Sequence, residues 1–137
     1  MNIKALTAAI ATAALLAACG TTQPTAGNVP ANARPSTPTQ AVDGTLIGPD
    51  GRTLYVFSRD VAGSGKSACV DACAANWPPL GVTASAVPLG DYTIITRADG
   101  SKQWAYKGMP LYYFVKDAKA GDKLGDGVGG NWRIARR

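Results

Sequence analysis

The chain has 137 residues and a formal net charge of +5, with its basic residues spread out rather than bunched; that length allows about one domain, and the dispersed charge argues against nucleic acid as a partner. It contains no histidine, and all nine of its acidic residues are aspartates. These absences exclude an imidazole general base, Ser-His and Cys-His nucleophile pairs, and His-containing zinc or copper sites, so we expect a protein that is not an enzyme and holds no metal or cofactor.

In chain order, the first segment reads as an address. Lys4 precedes an apolar stretch from Ala5 to Ala18, which ends at Cys19. A basic residue, a short apolar run and small residues before a processing point are the organisation of a signal peptide over residues 1–18. At 14 residues, interrupted by Thr7 and Thr12, the run is shorter than the roughly 20 that a spanning helix needs. Leu16-Ala17-Ala18-Cys19-Gly20 resembles the bacterial lipobox, which implies that Cys19 becomes the mature N-terminus and carries acyl chains. The membrane is then a partner through that lipid, because more than one chain anchors stably where a single one does not. In Gram-negative lipoproteins an Asp after the cysteine marks inner-membrane retention; Gly20 stands there instead, which points to the outer membrane in such a cell.

Residues 19–41 are rich in Pro, Thr and Ala and carry no aromatic residue, so they are expected to form a disordered tether. Such a chain holds a domain on the order of 25 Å from the lipid, with an extended limit of about 70 Å. Residues 42–137 then change to short apolar, β-branched and aromatic runs between Gly and Asp-Gly turns, which predicts a mainly β domain. The expected strands are 45–47, 53–57, 92–96, 103–106, 111–115 and 132–135, with hairpin turns at 48–52 and 97–102. One short helix is expected over about 67–76, closed by Trp77-Pro78-Pro79, since proline cannot continue a helix.

The domain repeats itself. The run from Asp50 to Asp60 aligns with that from Lys107 to Asp117, matching Gly, Leu, Tyr, Phe, a basic residue and Asp in register, and Asn76-Trp77 is echoed by Asn131-Trp132. Two copies of one unit, about 42–80 and about 91–137, predict a small pseudo-twofold fold. Tyr55-x-Phe57-x-x-Asp60 and Tyr112-x-Phe114-x-x-Asp117 resemble the Yx(FWY)xxD signature of a bacterial secreted-repeat lipoprotein family. Lys66-Ser67-Ala68-Cys69, Cys73, Trp77-Pro78-Pro79-Leu80 and Gly121-Asp122 extend the resemblance across the domain. That family is described as tandem repeats of unknown function, so the resemblance implies an architecture and no activity.

Alternation along a strand puts Tyr55, Phe57 and Arg59 on one face and Leu54, Val56 and Ser58 on the other. Both faces are apolar, so the strand and its counterpart belong inside a packed structure, with Asp60 and Asp117 fixing the turns that follow. The other reading is a ligand groove between repeats, lined by Trp77, Trp104 and Trp132, where aromatic faces stack on a ring. Cys69 and Cys73 are the thiols left once Cys19 is lipidated, and an exported protein is expected to pair them as a structural disulfide; the rival is a redox-active or metal-binding pair. Asp122 and Asp126 lie in a glycine-rich loop that could invite calcium, but the spacing fits neither the EF-hand nor the RTX nonapeptide pattern, and a solvated loop is expected. Arg133, Arg136 and Arg137 are a basic end that could meet an envelope polymer. The expected function is a lipid-anchored binding or structural module of the cell envelope, partnered by a polymer or protein, with a redox or electron-transfer accessory as the alternative.

Overall fold

A computed structural model describes residues 38–41 and 43–137. The expected signal peptide, Cys19 and most of the expected tether lie outside the described residues. Among the described residues there are seven short strands, one α-helix and a 3-10 turn at Val128–Gly130: β1 Thr39–Gln40, β2 Leu46–Ile47, β3 Tyr55–Phe57, α1 Ala72–Asn76, β4 Tyr92–Thr96, β5 Lys102–Tyr106, β6 Met109–Pro110 and β7 Trp132–Ile134. They form three antiparallel sheets, β1-β2, β3-β7 and β4-β5-β6. The mainly β expectation, with one short helix, holds.

Local chemistry explains most of the boundaries. Gly48 and Gly51 close the first expected hairpin through Gly48 N–H to Arg52 C=O (2.9 Å) and Gly51 N–H to Gly48 C=O (2.9 Å), and Ile47 bridges Thr53 across it. The second hairpin turns where Gly100 takes φ +84°, a left-handed value that glycine adopts without penalty. Its register sets Ile94 opposite Trp104.

Three expectations shift. Thr39 and Gln40 lie in the stretch read as tether, yet they pair with Ile47 and Leu46. The reversal is made by Gly44 at φ +81° and by the Asp43 carboxylate accepting the Thr45 N–H at 3.0 Å. The helix covers only Ala72–Asn76 rather than 67–76, because Ser67 and Cys69 bond each other through side chain and backbone and Asp71 takes φ +51°, which no helix accommodates. No continuous strand spans 111–115. Tyr112 bridges Tyr55 and Pro79 singly, and the neighbouring Pro78-Pro79 supplies no N–H to extend a ladder.

The two faces of each motif strand enter separate cores. Leu54 and Leu111 join Leu46, Leu80, Trp104, Tyr106 and Ala135 in one cluster. Tyr55, Phe57, Tyr112 and Phe114 join Cys69, Trp77 and Trp132 in the other. At the centre Tyr55 and Tyr112 exchange both backbone bonds, N–H to C=O, at 2.8 and 2.9 Å. One residue beyond each motif Phe, Ser58 N–H donates to Asn131 C=O (2.8 Å) and Val115 N–H to Asn76 C=O (3.0 Å). Each repeat's motif segment is therefore held by the other repeat's Asn-Trp pair, which is the pseudo-twofold arrangement in backbone terms.

Candidate functional site

The six signature residues and two of the three tryptophans meet in the second core, where the repeats exchange partners. Tyr55 Oη donates to Asp117 Oδ2 at 2.6 Å, and Tyr112 Oη donates to Asp60 Oδ2 at 2.7 Å. Each phenol thus bonds the aspartate of the opposite repeat. The second carboxylate oxygen in each case ties down the loop that follows: Asp60 Oδ1 accepts Ala68 N–H at 2.6 Å and Asp117 Oδ1 accepts Leu124 N–H at 2.9 Å. The turn-fixing role expected of Asp60 and Asp117 is present, joined to a cross-repeat role that the sequence reading did not contain.

All four polar residues are buried, and for Tyr55, Tyr112 and Asp60 burial favours the neutral form. Burial, with help from Asp117, pushes the Tyr55 phenol far above its ordinary value of 10.0. Burial likewise raises Tyr112, where its hydrogen bond with Ser67 opposes the rise and Asp60 adds to it. Asp60 is raised by burial despite its bonds to Ala68 and Tyr112 and the nearby Arg97 charge. The sign for stability follows: a phenol whose folded-state value exceeds 10 contributes stability below pH 10 and loses it as the pH rises through the folded value. Thermal melts should therefore show the melting temperature falling steeply above pH 10, with ionisation of Tyr55 and Tyr112 appearing together with unfolding; their ionisation in a still-folded protein is the opposite outcome.

Aromatic rings fill the space between these pairs. Phe57 stacks on Trp132 (centroids 4.4 Å), Trp132 on Trp77 (3.7 Å, interplanar 5°) and Trp77 on Phe114 (4.2 Å). Rings from alternate repeats so form one column, with Tyr55 edge-on to Trp77 at 5.4 Å and Tyr112 edge-on to Trp132 at 5.2 Å. Edge contacts of this kind strengthen packing beyond area alone. The three tryptophans do not line one groove: Trp77 and Trp132 cover each other, and Trp104, fully buried, sits in the other cluster.

Several participants carry no signal in the sequence. Arg97, expected only as the start of a turn, is buried; its Nη1 donates to Ser67 Oγ (2.9 Å) and Gln103 Oε1 (2.6 Å), and its Nη2 to Cys69 C=O (2.6 Å). The Ser67 hydroxyl lies 2.7 Å from Tyr112 Oη, so Arg97, Ser67, Tyr112 and Asp60 form one chain of contacts. Gly125 donates its N–H to Tyr55 Oη at 3.2 Å, and a Cβ there would stand 2.8 Å from Trp77 Cη2 and from Tyr55 Cζ. Packed rings cannot yield to it, so Gly125→Ala should cost about 1–3 kcal/mol in urea unfolding; an unchanged midpoint would show the rings to be loosely held.

The remaining candidates are placed as follows. Cys69 and Cys73 form a disulfide, Cα–Cα 5.2 Å, at the mouth of α1. Asp122 Oδ2 accepts the N–H groups of Ala118 and Lys119, and Asp126 Oδ1 that of Ile134, so both organise loop backbone. Arg133 and Arg136 reach backbone carbonyls of Trp132 and Asp43. Among the described residues no helix is long and apolar enough to cross a membrane.

Comparison with known proteins agrees with the internal symmetry. A family model described as a secreted repeat of unknown function matches residues 38–81 and 93–136, one match per half. No curated protein and no solved structure matches the chain.

Proposed function

We propose, for a chain that belongs to this secreted-repeat family of unknown function, a lipid-anchored and non-catalytic envelope module: a rigid scaffold held at the membrane by Cys19 that meets an envelope polymer or protein through its outer surface. One observation carries the reading. The four polar signature side chains are used by one another across the repeat boundary and are buried, which leaves none of them free to activate a substrate. A motif of this kind preserves an architecture, and function then resides in what the surface presents.

Anchoring is tested on protein from its native host. Intact-mass analysis of the membrane fraction should show cleavage after Ala18 and acyl mass on Cys19; a cytosolic protein with an uncut leader would overturn the proposal. In a Gram-negative cell, Gly20 further supports sorting to the outer membrane.

A second reading, an electron-transfer accessory, draws on the unbroken column Phe57, Trp132, Trp77, Phe114 and on the neighbouring disulfide. It requires a reversible voltammetric wave that vanishes in Trp77→Leu or on loss of the cysteine pair. A flat response rejects it.

A further inference from the structure

Residues 86–92 run from the first core into an exposed turn. Ala86 packs on the first core, while Val87 and Leu89 stand 70% and 65% exposed. Leu89 and Tyr92 exchange backbone bonds at 3.1 and 3.0 Å around Gly90, whose φ is +57°. Two apolar side chains two positions apart are thus exposed, Leu89 within a closed turn and Val87 just before it. Chance exposure of single apolar residues is ordinary; a fixed pair beside other membrane-compatible groups is not.

The surroundings supply those groups. Leu89 lines an open cavity of about 470 Å³ together with Tyr92, Tyr106, Arg137 and Pro38. Tyr92 and Tyr106 lie 4.9 Å apart, and the Lys107 ammonium sits 5.2 Å over the Tyr106 ring. Asp91 is the acidic residue of that lining, set against Arg137 and the adjacent Lys107. Tyrosines and long basic side chains around protruding aliphatic groups are the composition that settles at a lipid headgroup boundary. Pro38 is also where the described domain begins, and only residues 20–37 separate it from Cys19. The face where the chain arrives is therefore the face that carries this patch.

We propose that this face docks on an anionic lipid surface, with Val87 and Leu89 entering the headgroup region and Arg137 and Lys107 meeting lipid phosphates. The proposal rests on lipid anchoring at Cys19. A patch too weak to hold a free protein is sufficient for a tethered one, because 18 residues reach at most about 60 Å and keep the local membrane concentration high. Docking would fix which surfaces of the domain point away from the bilayer and so which are open to a partner.

The test uses the lipidated protein reconstituted in vesicles of phosphatidylglycerol and phosphatidylcholine, and in vesicles of phosphatidylcholine alone. Amide hydrogen exchange over residues 86–92, corrected for intrinsic rates, should be slowed roughly tenfold on the anionic vesicles, as expected for two inserted aliphatic groups aided by two cations. The slowing should disappear in Val87→Asp/Leu89→Asp, whose unchanged near-ultraviolet circular dichroism reports an intact fold. Equal exchange in both vesicle types, or an unaltered rate in the double variant, overturns docking while leaving anchoring intact. Failure of the wild-type protein to cofloat with vesicles, or absence of acyl mass, overturns anchoring and docking together. Protection produced by soluble peptidoglycan fragments instead of vesicles would assign the face to the cell wall and refute the proposal.

Discussion

Replacing Trp77 by alanine is expected to cost about 3–5 kcal/mol, the range for deleting a large buried aromatic side chain, and thus to consume much of the 5–15 kcal/mol that stabilises an ordinary domain. Trp77 is central to the second core: it stacks on Trp132 from one side and Phe114 from the other, and Tyr55 meets its edge. Removing it opens a cavity between rings contributed by both repeats, and no long flexible side chain in that cluster is available to fill the space. Trp77→Phe keeps a flat ring in the column and should lose less than half as much. Guanidinium titration of the two variants checks both values; a Trp77→Ala loss under about 1 kcal/mol would mean that the stack adds little to folding.

The second large effect belongs to the aspartates. Asp117→Asn keeps the size of the side chain but turns a two-sided acceptor into a group with one acceptor and one donor face. Either Tyr55 Oη or the Leu124 N–H then loses its partner inside the core. A buried donor left unmatched, together with loss of a bond to a charged acceptor, makes the expected cost about 2–4 kcal/mol. Asp60→Asn should act alike, through Tyr112 and Ala68. Tyr55→Phe leaves the carboxylate of Asp117 short of one donor and should cost less than Asp117→Asn, because Asp117 retains the Leu124 N–H. Urea unfolding of the three single variants establishes this order. Equal, small losses for all of them would show the hydrogen bonds to be incidental to packing.

Much of this arrangement was legible before any coordinates. Register between Asp50–Asp60 and Lys107–Asp117 revealed the repeat, and the period of two along Leu54-Tyr55-Val56-Phe57 placed apolar groups on both faces. What repetition alone does not contain is which copy each side chain bonds. Tyr55 and Asp60 lie five residues apart, so an intra-repeat bond and a cross-repeat bond are equally compatible with the pattern; the backbone exchange between Tyr55 and Tyr112 decides it by bringing the two phenols past each other.

Other differences have local causes. Leu111 to Val115 has the composition of a strand, but the partner segment offered to it contains Pro78-Pro79, so only single bridges form. Trp104 shares the residue type of Trp77 and Trp132 but alternates to the other core along β5, which separates it from any common groove. Arg97 follows a β-branched strand and precedes Ala-Asp-Gly, the setting of an exposed turn cation, and its burial depends on acceptors from Ser67, Cys69 and Gln103 that only the folded chain assembles. The helix expected over 67–76 begins only at Ala72 because Asp71 takes φ +51°, so the Cys69–Cys73 disulfide has its first cysteine before α1 and its second within it.

The decisive measurement is a pair of double-mutant cycles in urea, one combining Tyr55→Phe with Asp117→Asn and the other combining Tyr55→Phe with Asp60→Asn. A coupling of about 1 kcal/mol or more for Asp117 in the opposite repeat, beside near-additivity within about 0.5 kcal/mol for Asp60 in the same repeat, is the expected result. Coupling within a repeat and none across would contradict the reciprocal lock, and with it the reading of the signature as the element that joins the two halves.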